Sequence, residues 1–123
     1  MRFRVLSGNI PRGNPQEDLR VIYDTPDARV EASPEALVIQ SPGGEATIVA
    51  VGTLVGRRTP EGRLQAVESV SGFISTLVDE RPPTSWKEAY EGDMVLIVVR
   101  SDGELIVSGD RFFKRDVYVQ QFS

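Results

Sequence analysis

The side chains most often recruited for catalysis are absent or few. The chain of 123 residues has no histidine and no cysteine. A hydroxyl or thiol nucleophile needs a base to activate it, so the common Ser–His and Cys–His pairs are unavailable. Cysteine-based zinc sites and disulfides go with them. A desolvated lysine can serve as a base, but only Lys87 and Lys114 are present. Lys87 falls on the exposed side of an expected short helix. Lys114 sits between Phe113 and Arg115, and an ordinary solvated lysine fits both positions better.

The acids fare no better. Asp24-Thr25-Pro26 resembles the Asp-Thr-Gly turn of retroviral-type aspartic proteases, yet it has proline where that turn needs glycine. An aspartate opening a proline turn is the plainer account. Glu68, between Val67 and Ser69, would carry carboxylate chemistry only if it faced inward beside a second acid; a solvent-facing side chain is the commoner case. Asp102, Glu104 and Asp110 offer oxygen ligands for a hard cation, but their spacing is not that of an EF-hand loop. Ser41-Pro42-Gly43-Gly44 lacks the lysine and the helix that a phosphate loop requires. The expectation is therefore a non-enzymatic protein without cofactor or metal.

Two surfaces stand out instead. Arg111-Phe112-Phe113-Lys114-Arg115 sets three positive charges around two aromatics in a chain whose net charge is −4. In a strand, adjacent aromatics point to opposite faces, so one of them would be exposed. An exposed aromatic beside arginine is a contact for a partner protein or a stacking platform for a base; the plainer account is that one phenylalanine joins the core and the charges are simply solvated. The second surface is the pair of loops, Ser7–Asp18 and Arg57–Gly62, the latter opening with Arg57 and Arg58. The first loop is long for a compact domain and would serve as an arm to a neighbouring subunit or as a plain connection.

The elements that must position these residues are mostly strands. Phe3/Val5, Leu19/Val21/Tyr23 and Ala28/Val30/Ala32 alternate with polar residues, as half-buried strands do. Ser33-Pro34-Glu35 reads as a turn leading into a strand through Gln40, although its Ser-Pro-Glu order also suits a helix start. Glu45–Gly56 and Arg63–Asp79 read as two long strands, bent at Gly52 and Gly72. Ser85 as N-cap and Glu88 three residues on predict one short helix over residues 85–91, ended by Gly92, with Trp86 and Tyr90 on one face. Met94–Val99 is apolar throughout, as a strand buried on both faces should be. Ser101-Asp102-Gly103 is a hairpin turn, Leu105–Val107 its return strand, and Val117–Phe122 the last strand.

The sum is an all-β antiparallel sandwich or barrel of eight or nine strands, read as one domain over 1–123. Hydrophobic content of 40% and charged content of 26% fit a globular chain. No apolar run reaches a signal-peptide core or a membrane span, so a soluble, cytoplasmic or virion-associated protein is expected. The balance of charge does not mark a general nucleic-acid binder. The expected function is structural. The chain would be a homo-oligomer or dock on a larger protein assembly, as virion decoration and tail components do. The alternative is an OB-like barrel holding single-stranded nucleic acid or a small ligand on the Phe112–Arg115 strand.

Overall fold

The computed structural model describes residues 3–8, 13–15, 18–41, 44–109 and 119–122. It forms two β-sheets packed face to face, with a helical layer on the far side of the larger one. The first sheet has the order β2(Arg20–Asp24), β3(Ala28–Ala32), β1(Phe3–Gly8), β9(Val119–Phe122). Its first three strands pair antiparallel, and β9 runs parallel to β1. The second sheet has the order β4(Leu37–Gln40), β5(Ala46–Arg58), β7(Tyr90–Arg100), β8(Leu105–Ser108), with β6(Leu64–Gln65) pairing the far end of β5. No described strand belongs to both sheets, so the strands make a sandwich rather than a closed barrel.

Period-2 alternation explains the larger sheet. Ile48 and Ala50 of β5, with Met94, Leu96 and Val98 of β7, face the helical layer. Val49 and Val51, with Val95, Ile97 and Val99, face the small sheet, where Phe3, Val5, Val30 and Ala32 meet them. The two central strands are thus buried on both sides, which is why Met94–Val99 shows no polar alternation. Residues 34–40 are a turn followed by a strand, as the proline placement predicts. The 101–103 hairpin also forms: Gly103 N–H donates to the Arg100 carbonyl at 3.0 Å, and Asp102 Oδ1 accepts from Glu104 N–H at 2.9 Å.

One segment departs from expectation. Residues 63–79 are not a long strand but the two-residue β6 followed by a helix, α1(Val70–Glu80). Val70, Phe73, Ile74, Leu77 and Val78 recur at helical spacing. Ile74, Leu77 and Val78 are buried against the sheet. Ser69 is the N-cap, its Oγ accepting from Gly72 N–H at 3.1 Å. Four β-branched residues (Val70, Ile74, Thr76, Val78) and a glycine weaken intrinsic helix propensity, and burial of the apolar stripe overrides it. Ser69→Ala is expected to cost about 1 kcal/mol, seen as a lower urea midpoint with an unchanged slope.

The expected short helix is a 3-10 turn, Pro83–Glu88, and Ser85 does not cap it. Its hydroxyl donates to the Pro82 carbonyl at 3.0 Å. The preceding Pro82-Pro83 starts the turn, and Gly92 lies inside β7 rather than at a helix end. Trp86 and Tyr90 do share one environment, fully buried beneath α1, with Trp86 Nε1 donating to the Arg81 carbonyl at 2.9 Å.

Candidate interaction surface

The surface is built by β5 and β7 outrunning the small sheet. Up to Val51 both faces of β5 are buried; from Gly52 onward every second or third residue is open to solvent. Gly52 and Gly92 sit diagonally across the two strands, opposite Met94 and Leu54. Each brings its backbone against the neighbouring strand so closely that a Cβ would collide with a carbonyl, of Asp93 and of Thr53 respectively. The register then shifts between Leu54 and Gly56. Close approach and bulge together increase the local twist where the face of β5 turned to the small sheet becomes exposed, at Thr53 and Val55.

The ribbon ends in Arg57 and Arg58, the turn Thr59–Gly62, and β6. Arg57 and Arg58 were expected in the loop, and they lie instead on the last two positions of β5, opposite Gln65 and Leu64. Arg57 Nε donates to Gln65 Oε1 at 2.9 Å, so its charge is not neutralised by that neighbour. Arg58 is ion-paired with Glu91. Arg57 stands opposite Tyr90, on the side of the sheet that α1 covers. There an open groove of about 460 Å³ runs between ribbon and helix, lined by Arg57, Gln65, Glu68, Ser69, Phe73 and Thr76. Glu68 is exposed on its rim, not turned inward.

The most exposed large apolar side chains among the described residues lie on this ribbon: Val55 at 63% and Leu64 at 51%. Leu64 packs over Gly56, where a Cβ would come within 3.3 Å of its Cγ. Val70, at the start of α1, is also exposed. Sequence reading found the arginines of this end but not its apolar residues. The signal that marks them is the glycine at 52, after which apolar positions of a long strand no longer have a second layer to bury them.

Elsewhere the catalytic candidates stay apart. Thr25 N–H and Oγ1 both bond the Ala28 carbonyl, which makes Asp24-Thr25-Pro26 a turn between β2 and β3. Asp102 serves its own hairpin, and among the described residues no three His, Cys, Asp or Glu side chains converge as metal ligands would. Lys87 is exposed. Asp110 and the Arg111, Phe112, Phe113, Lys114, Arg115 cluster lie outside the described residues.

The outer face of the small sheet carries a feature the alternation did not announce. Glu31 is 0% exposed and Arg29 5%. Arg4 Nη2 donates to Glu31 Oε2 at 2.7 Å, and Arg29 Nε lies 3.1 Å from the same oxygen. The latter contact is close enough for ion pairing but poorly aligned for a hydrogen bond. Arg29 Nη1 also donates to the Gly13 carbonyl at 2.8 Å, tying this point of the first loop to its own sheet. No described helix is long and apolar enough to cross a membrane. Comparison with protein-family models, with curated proteins and with solved structures found no match to this chain.

Proposed function

We propose that this is a non-enzymatic structural protein that works by protein–protein contact, as a homo-oligomer or docked on a larger assembly of the virion decoration or tail kind. The observation that carries the reading is the ribbon beyond Gly52, which leaves Val55 and Leu64 uncovered at the end where Arg57 and Arg58 lie. Exposed apolar side chains rimmed by arginine are the usual make-up of a contact surface. A ribbon that runs past its own second layer gains stability when another protein supplies that layer. Size-exclusion chromatography with light scattering tests the reading. The expected result is a mass above that of the monomer at high concentration, returning to the monomer in a Val55→Glu/Leu64→Glu variant of unchanged circular dichroism. A strict monomer at millimolar concentration overturns the homo-oligomer form of the reading.

A further inference from the structure

The long ribbon separates charge. One end is the β5–β6 turn, where Arg58 is committed to Glu91 and residues 57–65 otherwise hold Arg57 and Arg63 against Glu61. Glu68 follows Gln65 toward α1 and lies on the rim of the groove that Arg57 also lines. The other end is where β5 begins and β7 finishes, since Ala46 pairs Arg100. Ser101 N–H donates to the Glu45 carbonyl at 2.8 Å and ties the β7–β8 hairpin to it. That end holds Glu45, Asp102 and Glu104, all exposed, against Arg100 alone. Arg100 is committed to Glu104 at 3.4 Å, which leaves Glu45 and Asp102 as surplus negative charge. Thirteen residues of β5 keep the two ends apart, about 40 Å at strand rise.

We infer that the partner is a second copy of this chain, bound head to tail, the arginine turn of one copy seated on the Glu45–Asp102–Glu104 end of the next. This rests on the assembly reading above and gives it a direction. The two ends are different surfaces with opposite sign, so a two-fold contact of like with like would set charge against like charge. A heterologous contact sets opposite charges together, and it repeats into a ring or a filament. Leu64, exposed beside Arg63, supplies the apolar centre of the contact. Such a junction weakens steeply with salt, because the Debye length falls from about 10 Å at 0.1 M to about 3 Å at 1 M.

Charge reversal at each end, followed by mixing, tests this in the full chain. Arg57→Glu/Arg63→Glu makes both ends negative; Glu45→Lys/Glu104→Lys makes both positive and leaves the Asp102 turn intact. Each variant alone is expected to run as a monomer in light scattering at low salt, where the unaltered chain runs larger. The equimolar mixture is expected to recover that larger mass, because every junction then joins opposite charges. Recovery on mixing also excludes misfolding as the cause of the loss. If the unaltered chain is larger than a monomer and neither variant lowers its mass, or if mixing fails to restore it, the head-to-tail contact is wrong while the assembly reading stands. If the unaltered chain is a strict monomer, the head-to-tail contact fails together with the homo-oligomer form of that reading.

Discussion

Glu31→Ala is expected to lower the free energy of unfolding by about 3–5 kcal/mol, the usual cost of removing one partner from a buried ion pair. Glu31 is fully enclosed, and two guanidinium groups converge on one of its oxygens. Alanine leaves Arg29, itself 5% exposed, without a counter-charge. The loss is a large share of the roughly 5–15 kcal/mol that holds a domain folded. The exposed pair Arg100–Glu104 is the comparison: its side chains are 32% and 55% exposed, and Arg100→Ala should cost well under about 1 kcal/mol. Urea titrations of the two variants read the difference directly. If Glu31→Ala costs no more than Arg100→Ala, the carboxylate is not enclosed as described. Replacing Arg4, Arg29 and Glu31 together by leucine should recover most of the loss, since an apolar cluster carries no desolvation penalty.

The second large effect is expected at Gly52. Its φ is +121°, and an added Cβ would overlap the Asp93 carbonyl and lie 2.9 Å from Met94 Cα. These are backbone atoms of a central strand, so no side chain can move aside. Gly52→Ala should therefore cost on the order of 3 kcal/mol or more, through backbone strain and displacement of β7. Gly62 separates the two contributions. It also has a positive φ, +84°, but open space around its Cα. Gly62→Ala should cost only the conformational term, about 1 kcal/mol. Equal losses at the two positions would show that crowding against β7 is not the cause. Gly52→Ala should also lower any self-association, because it disturbs the bend that carries Val55 and Leu64 outward.

The strands were legible because alternation is a direct record of which residues face a core. Val30 and Ala32 against Glu31, or the unbroken run Met94–Val99, can be read without coordinates. Alternation does not say whether the second face is covered. In β3 it is, so Arg29 and Glu31, which read as solvent-facing, are buried. The helix α1 was hidden by composition. Val70, Ile74 and Val78 favour strands locally, and Gly72 imitates a strand bulge. Only their spacing and the Ser69 cap speak for a helix, and both depend on a sheet being there to receive it. Of the candidate surface, Arg57 and Arg58 were found from their charge. The exposure of Val55 and Leu64 could not be, since it follows from where the small sheet stops.

The parallel pairing of β1 with β9 has a consequence for how the chain reaches this state. Val5 is joined to Val119, and Leu6 to Gln120, so these contacts close almost the whole chain into one loop. Hairpins such as β4–β5 and β7–β8 close loops of a few residues and cost little entropy, whereas this closure is rewarded only after most of the chain is already ordered. The β1–β3 and β5–β7 pairings close loops of intermediate length, so the seam between β1 and β9 is expected to be the last pairing to form. Until that step is taken, the edge of β1 stands as an open template, and the kinetics of its closure set how long a newly made chain is exposed to wrong pairing.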